Sequence, residues 1–291
     1  MRSTLLLAAL LLAGCAKPPP AKPTGPAVVA TPESWCPEGF EPGANNTCFA
    51  LPRTTNPKTP ILLYLHGMFS GQGSSDEWSN VRYASDKGFA VILPRGRRGM
   101  CAWKAEAKDA YCWPGETEEA ADIESVIAEW EKVLWQVEAL LEPGTHKRYV
   151  VGYANGGYFA NHLATQGAFP AAAYVVIGGG ELHPPKQGVK PAQLLLVTAE
   201  HDPAEGQKMV DLRASLEKAG WLHARCTRPG ERALSKDDID LALRFFQKTD
   251  PKDNRDAKVT MGLGCEGLSV AQAGDPTPAK PPKDVAKGQK K

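Results

Sequence analysis

The stretch Gly152-Tyr153-Ala154-Asn155-Gly156-Gly157 follows an apolar run and precedes a helical one. A strand–turn–helix corner of this kind is tight, so small residues flank its apex. A serine at the apex would be a nucleophile. Here the apex is Ala154, and a methyl group has no lone pair for attack and no proton for a base to remove. Other reactive types lie nearby in the strand–helix order. Glu181 and His183 follow one apolar run, and Glu200, His201 and Asp202 follow the next. Imidazoles and carboxylates together can hold zinc and activate water, but loops carry the same residues routinely, and Pro184-Pro185 reads as plain loop. Ser70, Ser74 and Ser75 lie in the Gly/Ser-rich segment Phe69–Asp76, which reads as a mobile loop. A serine without a partner base is weakly nucleophilic. No metal ligand and no cofactor is assigned on these patterns.

The elements that must position these residues alternate. Ile61–Leu65, Phe89–Leu93, Tyr149–Gly152, Ala172–Ile177, Leu194–Thr198 and Leu222–Thr227 read as strands. Between them, Ala120–Leu141 carries apolar residues at helical spacing, and helices are expected at Tyr158–Leu163, Met209–Leu216 and Ile239–Phe246. Such alternation predicts an α/β fold, a single domain with a mostly parallel sheet and helices on both faces. Sites in such sheets form at the C-terminal ends of the strands.

The Gly-x-Ala-Asn-Gly-Gly turn, with His66-Gly67 upstream, resembles the nucleophile elbow of the α/β hydrolases, in their esterase and poly(3-hydroxyalkanoate) depolymerase-like branch. Members typically carry Gly-x-Ser-Asn-Gly-Gly there. The resemblance spans roughly residues 58–250. It implies an oxyanion hole from the backbone N–H of Asn155 and one from the loop after His66-Gly67, Met68 or Phe69, with Met68 the assignment. It implies that Asp202 is the catalytic acid, although an Asp before Pro203 is also a plain turn initiator. The histidine should lie in the loop after the last strand. That loop, Arg228–Leu234, holds Glu231 and Arg232 and no His, while His223 falls at the wrong end of its strand. Two of the three triad positions, Ala154 and Arg232, are therefore degenerate. Arg232 is expected to pair with Asp202 where the histidine would sit. The resemblance thus points to a hydrolase-like protein without serine-hydrolase chemistry, holding an unidentified small-molecule, polymer or protein ligand. The alternative is an active esterase, depolymerase or peptidase-like hydrolase with relocated or metal-dependent residues.

Aromatics cluster near the same end. Trp103, Tyr111 and Trp113 lie around Cys101 and Cys112 after the Phe89–Leu93 strand. With His66 they are candidate ligand-binding residues, stacking on a sugar or an apolar chain; equally, they could cap the core beneath the loop.

The ends and the cysteines concern location. Arg2 and the short Leu/Ala run ending in Leu12-Ala13-Gly14-Cys15 resemble a bacterial lipobox. Residues 1–14 are expected to be a lipoprotein signal peptide, Cys15 the lipidated residue, and 15–34 a tether containing six prolines after Cys15. The domain is assigned to 35–270, and 271–291 is a Pro/Lys-rich tail expected to be disordered. Ala16, in place of Asp, favours the outer membrane. The membrane is the one partner this implies. The net charge of +1 in 291 residues, with no basic stripe, argues against nucleic acid. The six remaining cysteines of an exported chain read as disulfides, and sequence proximity favours Cys36–Cys48, Cys101–Cys112 and Cys226–Cys265.

Overall fold

The structure is a computed structural model. It describes residues 34–101, 107–115, 120–221, 223–248 and 265–266. Cys15, the tether, Trp103 and the tail lie outside the described residues. The chain divides into two units, Met1–Ser34 and Trp35–Lys291, and the second contains every element that follows. In chain order these are β1 (Glu41–Pro42), β2 (Thr47–Ala50), β3 (Ile61–Leu65), α1 (Ser75–Asp86), β4 (Ala90–Pro94), β5 (Arg97–Arg98), β6 (Tyr111–Cys112), α2 (Ala120–Leu140), β7 (Arg148–Tyr153), α3 (Asn155–Gln166), β8 (Ala173–Ile177), β9 (Gln193–Ala199), α4 (Pro203–Lys218), β10 (His223–Arg228), α5 (Lys236–Lys248) and β11 (Cys265–Glu266).

Nine strands form one sheet in the order β1-β2-β4-β3-β7-β8-β9-β10-β11. The run from β4 to β10 is parallel, and β1, β2 and β11 join antiparallel at the edges. The central strands are apolar at every position because both faces are covered. Their side chains alternate between two cores. Leu62, Tyr64, Val151, Val175 and Val197 pack with α1 and α5 on one side. Ile61, Leu63, Val150, Val176 and Leu196 pack with α2, α3 and α4 on the other. The order 4-3-7-8 places the end of β3 beside the end of β7, so His66-Gly67 and Ala154 are neighbours by topology.

The main elements lie where the periodicity puts them, within a few residues, and α3 starts at Asn155, directly on the turn. One expectation is corrected. Phe69–Asp76 is not wholly loop: Ser74 caps helix α1, its hydroxyl accepting from the Glu77 N–H at 3.3 Å. The Ser-x-x-Glu spacing of a capping box carries that signal in the sequence. The short strands β1, β2, β5, β6 and β11 carry none of comparable strength. Their partner strands and the disulfides set them. Cys36–Cys48, Cys101–Cys112 and Cys226–Cys265 are the pairs formed.

Candidate functional site

Ala154 sits at the apex of the β7–α3 turn with φ 50° and ψ −115°, a conformation that L-residues rarely adopt and that costs about 1–3 kcal/mol. The surrounding chain enforces it. The Ala154 N–H donates to Ile177 O at 2.9 Å, and the Gly156 N–H donates to His66 O at 3.1 Å. A Cβ at Gly156 would run into the carbonyls of Leu65 and His66, and one at Gly152 would meet the Gly156 carbonyl. Both glycines are needed for the close approach of main chain to main chain.

Backbone donors face this corner from two elements. The Gly67 N–H donates to the Glu77 carboxylate at 3.3 Å. The Phe69 N–H donates to Tyr111 O at 3.4 Å. The N–H groups of Met68 and Asn155 have no partner among the described residues. Unpartnered backbone donors are the groups that an oxygen anion would use. The Asn155 side chain is fixed separately, its Oδ1 accepting from the Trp113 N–H at 2.7 Å.

Asp202 lies one turn of topology away, at the end of β9. Its Oδ1 caps α4 by accepting from the Glu205 N–H at 3.3 Å. Its Oδ2 is 3.4 Å from Arg232 Nε. The same guanidinium reaches Glu205 Oε1 at 3.6 Å and donates to Gly178 O at 3.3 Å. Tyr158, four residues after Ala154, donates its hydroxyl to Glu205 Oε2 at 2.7 Å. Burial, then that hydrogen bond, raises the Tyr158 pKa. The space bounded by Ile177, Val197, Asp202, Glu205, Arg228 and Arg232 is only about 10 Å³, about the volume one water needs. The Asp202 carboxylate is thus engaged by a cap and a cation, and among the described residues no imidazole pairs with it. His201 pairs with Glu231 on the surface at 3.6 Å, and His223 is buried at the start of β10. Glu205 and Tyr158 are not among the expected site residues. The Asp202-Pro203-Ala204-Glu205 capping spacing could have signalled Glu205, whereas Tyr158 is joined to it only by the tertiary fold.

The structure places the residues expected to bind a ligand in different surroundings. His66 is fully buried, with Nδ1 at 2.6 Å from Gly67 O and Nε2 accepting from the Gly96 N–H at 2.8 Å. Both nitrogens are engaged, so His66 offers a ligand nothing. Burial, against the pull of Gly67 and aided by Arg95, holds its pKa at about 3. Trp113 is also fully buried: its indole N–H donates to His66 O at 2.8 Å and its ring stacks on Phe159. It belongs to the core. Tyr111 remains half-buried, its ring packed by Phe69 and two arginines. The other reactive types diverge. His183 meets His162 at 3.1 Å, Glu181 accepts from Ser215, and Ser74 is spent as a cap. Among the described residues, no three of His, Cys, Asp and Glu converge as a metal would require.

The sheet order, the helices on both faces and the strained strand–turn–helix corner are those of an esterase-like α/β-hydrolase fold. The chain is similar to the solved structures of esterase PE8 (17% identity, TM-score 0.52, covering 69% of this chain and 97% of that one) and of esterase B of Lactobacillus Rhamnosis HN001 (12%, 0.52, 74% and 86%). It is 25% identical over 163 residues to a bifunctional acetylxylan esterase/xylanase of Neocallimastix patriciarum. That match covers 55% of this chain but only 22% of the relative's length. No protein-family model matches the chain.

Proposed function

We propose that this chain is a catalytically silent binding protein on an esterase-like scaffold, tethered to the bacterial envelope through a lipid on Cys15. The observation that carries the first part is the methyl group of Ala154 at the apex of an intact, strained elbow. Arg232 on Asp202 supports it independently: the general base is missing and its place beside the acid is taken by a permanent cation. Removing both nucleophile and base leaves the backbone donors of Met68 and Asn155, which depend on no side chain. These make the corner a place to hold an oxygen-bearing group without cleaving it. The lipobox, the proline-rich tether and three disulfides support the envelope location, and Ala16 after Cys15 favours the outer membrane.

The test is turnover of short-chain 4-nitrophenyl esters. Loss of a triad nucleophile costs about 10⁶-fold in kcat, so the wild-type protein should match an Asp202→Asn control and be unaffected by a chelator. The double substitution Ala154→Ser with Arg232→His should gain esterase turnover. Wild-type turnover abolished by Asp202→Asn or by chelation would overturn the reading in favour of a relocated or metal-dependent hydrolase.

A further inference from the structure

Beside the elbow, the short β5–β6 hairpin holds an arrangement that the degenerate triad does not explain. The Cys101–Cys112 disulfide closes this hairpin, and Phe69, next to Met68, pairs with Tyr111. Two residues on, Trp113 binds the Asn155 side chain. The hairpin is therefore wired to both sides of the donor pair. On the Tyr111 ring sit two guanidiniums, Arg95 at 4.5 Å and Arg98 at 4.9 Å from the centroid. Arg95 also lies over Trp35 at 5.3 Å and donates to Asn46 Oδ1 at 3.0 Å. Neither Arg95 nor Arg98 is paired with a carboxylate among the described residues. Arg97 between them shows the contrast: it is neutralised by Glu129 at 2.7 Å and held by Ser125 at 2.8 Å. Arg98 is exposed.

Two like charges on one ring repel. Contact with the aromatic ring offsets part of that cost, but among the described residues it leaves their N–H edges without an anion. A planar fork of donors that faces no carboxylate among the described residues matches a carboxylate or a phosphate. We propose that Arg95 and Arg98, clamped on Tyr111, form an anion-recognition rim for the ligand of this corner, gripping a carboxylate or phosphate group of that ligand. The proposal rests on the reading of the corner as a place that holds a ligand. It adds the charge that the ligand must carry.

The experiment reads binding directly, by affinity electrophoresis of the full chain in gels containing polygalacturonate, polyphosphate or uncharged dextran. The first two arms separate carboxylate from phosphate. Expected is retardation by at least one anionic polymer, weakening as salt rises, and none by dextran. Arg98→Gln should weaken retardation severalfold, and Arg95→Gln with Arg98→Gln should abolish it. If the double variant loses its cooperative thermal transition, the exposed single substitution Arg98→Glu serves, and should abolish retardation by reversing one charge. Retardation of the variants equal to wild type would overturn the proposal and assign any binding to the Lys-rich tail. Absence of retardation by both anionic polymers would also overturn it. Ester turnover by the wild type would remove the silent-scaffold reading and leave this readout intact, so the two failures are distinguishable.

Discussion

His66 illustrates how a residue type with catalytic potential can be made inert by its surroundings. It stands at the end of β3, next to the donor loop, yet Gly67 O and the Gly96 N–H occupy its two nitrogens and Phe69, Trp78 and Trp113 enclose its ring. Charging it would put an unpaired ion in the core, which is why its pKa falls to about 3. The unfolded chain binds a proton near pH 6.5 and the folded chain does not. Stability from this group is therefore fully present above pH 6.5. Below that it falls with pH down to about 3, at about 1.4 kcal/mol per unit. Urea unfolding at pH 7, 6, 5 and 4 should show this decline. His66→Asn should be less stable at pH 7 but lose about one proton's worth of slope. An unchanged slope in the variant would contradict the assignment. His162 is held down to about 4 by burial and by His183, and adds to the decline in the same direction.

At the scale of elements, the position of Arg232 depends on how the β10–α5 loop is tied. Arg228, the last residue of β10, lies 2.7 Å from the buried Asp238 of α5, and it donates to Ala233 O at 2.6 Å. Asp238 accepts from the N–H and the hydroxyl of Ser235, each at 2.8 Å. Burial raises the Asp238 pKa despite those hydrogen bonds and the pull of Arg228. The loop is thus pinned at both ends, which holds Arg232 against Asp202. Asp238→Ala should destabilise the protein by about 3–5 kcal/mol, because it leaves a mostly buried guanidinium unpaired. Replacing both partners, Arg228→Met with Asp238→Leu, should recover much of that loss. Thermal unfolding of the two variants separates the cases. A double variant no better than Asp238→Ala would show that the pair is not what holds the loop.

For the whole molecule, the proposed envelope location requires an anchor, and one acyl chain alone holds weakly. When expressed in a bacterium with residues 1–14 present, the chain should incorporate labelled palmitate and partition into the detergent phase of Triton X-114. Cys15→Ser should abolish the labelling and send the protein to the aqueous phase. Labelling that survives the substitution would refute Cys15 as the anchor.

The central strands were legible because burial on both faces forces continuous apolar runs such as Ile61–Leu65 and Ala173–Ile177. The elbow was legible because its backbone geometry demands Gly152 and Gly156 whatever stands between them. The residue types at 154 and 232 could also be read without coordinates, since a methyl group is no nucleophile and a guanidinium is no base at neutral pH. Helix α1 was missed because few of its residues are buried; apart from Trp78, Val81 and Ala84, its sequence is largely polar and reads as loop. Sequence could not decide which aromatics face a ligand. Trp113 and Tyr111 are two residues apart in the chain, yet one fills the core beneath the elbow and the other carries the guanidiniums of Arg95 and Arg98. Residue type sets what a side chain can do. Only the packing of neighbours distant in the chain decides whether its reactive edge meets the core or the cleft.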